Sequence, residues 1–499
     1  MSKYIYKLSD YHAIKKAAIS IDGITVLSGI NGCGKSTLSK WLYYIVNGAN
    51  LYDEFIYDRY VSQIQNIFTG LNFARRDIDK DTDHSNSLFF REASSKIRSL
   101  KDNGEQDKVE IIQHIAEKVI ERFCDILYIY LKDSPSPTKR ERVFGFLGIK
   151  YNENENFDDV LSSFRYVELS EIEHIKNNYY ESKRKRSMDD FLMLLHDNFD
   201  IDETSPNNIN VEEDGVKLFQ KGSVGNLYNL TKAIYVDTPM AVSEEGKDDN
   251  VFWNDLKSLM LDENKDFAGT DAYKKIIRRI THLMNGRVDV EKDDFGQKEL
   301  HFVSEDGLNI KLDKTATGFK SFSYILRLLE NGYLNEKTLL LIDEPEAHLH
   351  PQWIVEFAHI LVLLNKETGT KIMVASHNPN MVDAISAIAK KENVEDRTHF
   401  YLAEESEQRF KYIYKDLGQD IEEIFKSFNM AYHKIEQYGS LVYDNRIITG
   451  HKLYPVCGMK LQDVSEKDYH GKKYFDEPIE CLDMDKYEET ECAGIKKKL

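Results

Sequence analysis

The period of the apolar positions changes along this chain, and the changes divide it. Near the start, "ISIDGITVLSGI" (residues 19–30) alternates apolar with polar residues and closes on an apolar run, which predicts two strands. "TLSKWLYYIV" (37–46) then takes the helical period. From about Leu51 to Leu230 the text is charged and mostly helical, broken at "SPSPTK", which predicts an inserted helical subdomain. It is short for a coiled-coil arm, which would sustain heptads much further. Strand text resumes around Ile234 to Val236, and "GRVDVEKDDFGQKELHFVSEDGLNIKL" alternates with turn signals at "DDFG" and "EDG", a small antiparallel sheet. "TATGFKSFSYILRLLENG" reads as a loop entering a helix. "TLLLIDEPEAHLHPQW" and "KIMVASHNP" each begin with a buried strand. From about Gly439 the text is aromatic, polar and almost free of period. The expected layout is an α/β core from residues 1–50 and 231–438, a helical insertion at 51–230, and a docking module or tail at 439–499.

Composition narrows the class. A chain of 499 residues with 41% hydrophobic positions can bury a proper core. It contains no run of about 18 apolar residues, and its first residues lack a secretory pattern, so no membrane partner and a cytoplasmic location are expected. Five scattered cysteines without a CxxC pair indicate neither a disulfide framework nor a zinc site. A formal charge of −19 opposes a general nucleic-acid coat. Any such contact is local, at Lys183 to Arg186 or Lys274 to Arg279, runs that on base rates are more often solvated helix faces.

Candidate chemistry sits where strands end. "GINGCGKST" (29–37) has phosphate-loop spacing, and a strand precedes it and a helix follows it. Gly32 and Gly34 let backbone N–H groups turn onto a phosphate, Lys35 neutralises β and γ oxygens, and Ser36 places its hydroxyl on Mg²⁺, with Thr37 beside it. In "LLLIDEP", Asp343 and Glu344 stand at the carboxyl end of a buried strand, where ligands of parallel sheets bind. Asp343 suits the metal shell and Glu344 the attacking water. His377, ending the next strand, suits a γ-phosphate sensor. His348 and His350 are two apart without supporting acids, a poor metal pair.

The order "GINGCGKST", "TATGFKS", "LLLIDEP", "ASHNP" resembles the ABC-type ATPases of the soluble branch that includes SMC, break-repair and OLD-like proteins. That resemblance covers roughly residues 1–60 and 230–405. It implies a P-loop ATPase head, with ATP and Mg²⁺ as cofactors and two nucleotides sandwiched between two heads. By the same resemblance Asn31 belongs to the nucleotide site, Thr317 and Gly318 hold the signature position reaching the partner's γ-phosphate, and "EPEAHLHP" touches the partner head. The signature departs from the glycine pair of transporters, carrying Phe319 and Lys320 instead. The usual loop glutamine has no clear counterpart, the position falling on Asp237 or Thr238. More narrowly, "TGFKSFSYILRLLENGYLNEKTLLLIDEPEAHLHP" looks like the PtuA-type ATPases of the Septu anti-phage system, which implies a separate HNH-type nuclease effector. No nuclease motif is visible in the chain itself. A DNA-repair or chromosome-maintenance ATPase is the alternative.

Overall fold

A computed structural model describes residues 2–79, 84–100, 105–133, 136–149, 156–199, 201, 204–237, 250–263 and 269–426. The segment expected as a docking module or tail lies outside the described residues. The chain divides into two units, residues 1–421 and 422–499.

Strands β1 (Tyr4–Tyr11) and β2 (Ile14–Ser20) form an antiparallel hairpin, and β3 (Ile24–Ser28), buried at all five positions, leads into the phosphate loop. From the loop rises α1 (Lys35–Ile78), 44 residues, or about 66 Å at the usual helical rise. It crosses position 50, where the change of composition suggests a boundary, without interruption. Leu42, Ile45, Val46, Ala49, Tyr52 and Ile56 keep one apolar face buried across that point. Gly48 is tolerated mid-helix because a Cβ there would lie 2.8 Å from Leu195 and 3.0 Å from Phe191.

The insertion continues as α2 (Ser85–Ser99), α3 (Glu105–Lys132), α4 (Pro137–Phe146), α5 (Phe157–Lys185) and α6 (Met188–Phe199). Helices α1, α3 and α5 pack together around Phe68, Phe123 and Phe164, all buried. Ser187 and Asp190 form the capping pair that starts α6: the Asp190 amide donates to Ser187 Oγ at 3.1 Å, and Ser187 Oγ donates to the Asp190 carboxylate at 2.8 Å.

The helical text then ends earlier than expected. Residues before Leu230 form β4 (Asn208–Glu213), β5 (Val216–Lys217), β6 (Phe219–Gln220) and β7 (Ser223–Val224). The reason is turn chemistry. Asp214–Gly215 and Lys221–Gly222 both take left-handed φ, 49° and 82° then 49° and 80°, as tight hairpins require. Strand β4 pairs with β1, so the end of the insertion returns to the main sheet.

Next come β8 (Lys232–Val236), α7 (Val251–Leu261), α8 (Asp271–Met284), β9 (Gly286–Lys292), β10 (Lys298–Ser304) and β11 (Asn309–Lys311). The last three make a separate antiparallel sheet, as their alternation predicts. The chain then forms α9 (Thr317–Glu330), β12 (Thr338–Asp343), α10 (Pro351–Thr368), β13 (Lys371–Ser376), α11 (Pro379–Lys391), β14 (Thr398–Glu405) and β15 (Tyr412–Gly418). The ten-stranded sheet runs β5-β4-β1-β2-β15-β14-β3-β13-β12-β8. Its β14-β3-β13-β12-β8 half is parallel. The carboxyl ends of β3, β13 and β12 therefore lie side by side, which is how distant motifs come to share one edge.

Candidate functional site

The phosphate loop is shaped by close packing. Gly34 has φ 96°, and a Cβ there would come within 2.7 Å of Ile14 Cγ1, so no side chain fits. Gly32 has φ 81° with open space around it, leaving room for a ligand to approach the backbone. Lys35, buried, turns its ammonium back onto the loop, donating to the carbonyls of Gly29 at 2.8 Å and Ile30 at 3.1 Å. Asn31 and Ser36 are exposed and Thr37 half-buried at the start of α1, whose first turn carries no acid. That leaves the helix N-terminus free to favour an anion.

Asp343 ends β12 between β8 and β13 and is buried. Tyr235 Oη donates to its Oδ2 at 3.1 Å, while Oδ1 has no hydrogen-bond partner. Burial raises the Asp343 pKa; Ser36 and Tyr235 oppose that rise, and the charges of Asp237 and Glu344 add to it. A buried, unpaired carboxylate oxygen beside the Ser36 hydroxyl fits a hard cation that brings its remaining ligands as phosphate and water. Among the described residues no group of three or more His, Cys, Asp or Glu side chains is arranged as a protein-built metal cage. His350 caps α10, accepting from the Gln352 amide at 3.4 Å, which gives it a structural task instead of a metal.

Glu344 takes a left-handed φ of 47°, unusual for a side chain of its size, and its amide donates to Ala375 O at 2.8 Å. The turn holds the carboxylate toward β13, where Glu344 Oε1 lies 3.2 Å from His377 Nδ1. Sequence reasoning passed over Glu346. It is buried, its Oε1 accepts from Ser376 Oγ at 2.6 Å and from the His377 amide at 3.1 Å, and its Oε2 has no partner. Tyr235 was also missed.

Thr317 and Gly318 share no hydrogen bond with these residues. They begin α9, which packs against α7, α8 and β9, and the hydrogen bonds joining β3, β12 and β13 do not include them. Gly318 has a packing reason to be glycine: a Cβ would lie 3.1 Å from the Trp353 ring and 3.2 Å from Leu349 Cδ2. Asp237 follows β8 at the site's edge, near enough to act on Asp343; Thr238 lies outside the described residues.

The basic runs divide. Arg186 is turned inward, donating to Asp53 at 2.6 Å and to Ala49 O at 3.0 Å. Lys185 pairs with Glu181. In the second run Arg279 pairs with Glu356 at 2.6 Å, while Lys274, Lys275 and Arg278 are exposed. Cys33 and Cys124 are free thiols, both buried. Among the described residues no helix is long and apolar enough to cross a membrane.

The chain matches the family described as AAA ATPase domain over residues 7–382. Among solved structures it is similar to the Smc head domain with an extended coiled coil bound to the C-terminal domain of ScpA from Pyrococcus furiosus, at 12% identity over 87% of this chain and 100% of that one, with a TM-score of 0.32. A second, the Smc head bound to the C-terminal winged-helix domain of ScpA, is 10% identical over 85% of this chain and 98% of that one, TM-score 0.31. The SMC head domain from Thermotoga maritima is 12% identical over 42% and 65%, TM-score 0.24. No curated protein matches. Similarity this distant transfers no structural detail.

Proposed function

The chain belongs to the AAA ATPase domain family and is an ATPase; from that premise we propose that ATP closes two heads on each other, and that this cycle controls a separate effector. The observation that carries the proposal is a division of labour. The phosphate loop, Asp343, Glu344 and His377 converge on one sheet edge, whereas Thr317 and Gly318 open a helix that shares no hydrogen bond with them. A site missing that last contact is completed when a second head supplies it.

In this reading Lys35 leaves the Gly29 and Ile30 carbonyls for the β and γ oxygens, and the amides opening α1 turn onto the phosphates. Ser36 and Asp343 would hold Mg²⁺, which would supply charge neutralisation at the phosphates. Glu344 orients the attacking water and takes its proton. His377 donates to the γ-phosphate, releasing Glu344 from their contact at 3.2 Å. Thr317 of the opposite head completes the phosphate cage. Hydrolysis removes the shared γ-phosphate, and the heads part.

The finer assignment is a regulator in a bacterial anti-phage system restraining an HNH-type nuclease, supported by the likeness of the stretch from Thr317 to Pro351 to the PtuA-type ATPases. A chromosome-maintenance or break-repair ATPase is the second reading, favoured by the motif order shared with that branch. Purification from the native operon separates them. Co-elution of a nuclease at fixed stoichiometry supports the first; co-elution of chromosome-organising subunits without a nuclease overturns it.

A further inference from the structure

Glu346 is a buried polar side chain at the sheet edge that the proposed cycle does not use. It lies on the turn after β12, yet its bonds go to the end of β13, thirty residues away in sequence. Oε1 accepts both Ser376 Oγ–H at 2.6 Å and the His377 N–H at 3.1 Å. Ser376 Oγ in turn accepts the Asn378 amide at 3.0 Å, and Asn378 Oδ1 accepts the Asn380 amide at 2.8 Å, capping α11. One carboxylate oxygen thus anchors the backbone that carries His377 and, through Ser376, the start of the following helix.

Such an anchor is costly. Glu346 is 5% exposed, and its second oxygen has no partner. An uncharged side chain would serve better if the turn needed only to be filled. Its carboxylate also lies 3.8 Å from His377 Nδ1, on a ring already facing Glu344 at 3.2 Å. Both acids therefore face the same ring nitrogen of His377.

We propose that Glu346 is a positioning residue for ATP hydrolysis: it fixes the His377 backbone and ring so that His377 and Glu344 meet the reacting phosphate in register. This rests on the reading of Glu344 and His377 given above. The residue touches no substrate itself, so its effect passes entirely through His377.

A double-mutant cycle on the full chain tests this, reading kcat and KM for ATP in Glu346→Gln, His377→Ala and the pair. The expected result is a kcat lowered roughly 10–100-fold in Glu346→Gln with KM changed less than about twofold, the scale seen when a supporting hydrogen bond is lost. In the His377→Ala background the same change adds less than about twofold. Ser376→Ala, which removes one donor and keeps the acid, should show a smaller loss of the same kind. Equal losses from Glu346→Gln in both backgrounds, or a loss confined to KM, overturn the proposal. If His377→Ala turns over like wild type, the reading of His377 itself fails. A normal loss in His377→Ala with none in Glu346→Gln rejects Glu346 alone. Should Glu346→Gln fail to fold, Ser376→Ala decides by the same cycle.

Discussion

Lys35 resting on its own loop carbonyls and Gly318 wedged against Trp353 make opposite predictions about what a single change does. Lys35→Ala removes the one formal cation offered to the β and γ oxygens but breaks only two hydrogen bonds to backbone and a long one to Cys33 Sγ. Calorimetry should show ATP affinity lost while unfolding in the absence of nucleotide moves little; unchanged ATP binding would discard the phosphate-loop assignment. Gly318→Ala should do the reverse. Its methyl group would press on Trp353 at 3.1 Å, and overpacking of this kind costs about 1–3 kcal/mol. Urea unfolding without nucleotide reads that cost directly, and an unaltered midpoint would mean that Trp353 yields freely. A variant at Gly318 is for this reason a poor probe of head closure, because any side chain there would disturb the packing against Trp353 first. Thr317→Ala is the cleaner test: it should leave folding and ATP binding in one head intact and weaken ATP-dependent dimerisation.

Among the elements, α1 and α6 are held by a partly buried ion pair, Arg59 Nη1 to Asp190 Oδ1 at 2.7 Å. Burial alone would raise the Asp190 pKa, but Arg59 and Ser187 outweigh it and the net shift is downward. A carboxyl group depressed in the folded state stabilises above its unfolded pKa, and that contribution disappears as pH falls through the folded value. Asp190→Asn should therefore cost about 1 kcal/mol near neutrality, and wild type and variant should converge in acid below the carboxylate range. A gap that persists there would assign the loss to the α6 cap instead of the charge. The sequence showed many of these elements. Strands β3, β12 and β13 are continuous apolar runs, and β9 to β11 alternate between clear turn signals. The hairpin strands β4 to β7 were missed although Asp214–Gly215 marks a tight turn, because they are short and follow a long helical stretch. Glu346 was not legible for a different reason. Its partners lie on β13, and only the parallel pairing of β12 with β13 brings Ser376 and His377 to it.

At the scale of the molecule, the phosphate-loop helix passes without a break into the insertion, and the insertion returns through β4 to the sheet whose edge carries the candidate nucleotide site. In the proposed cycle two such heads close on ATP and Glu344 reopens them. Glu344→Gln keeps the shape of the side chain and removes its ability to accept the proton from water. Sedimentation velocity of this variant with ATP and Mg²⁺, against the same variant without nucleotide and against wild type with ATP, reads head closure and reopening together. A stable dimer is expected only in the variant with ATP, with turnover abolished. A variant that binds ATP yet sediments as it does without nucleotide, or that hydrolyses ATP at the wild-type rate, would contradict it.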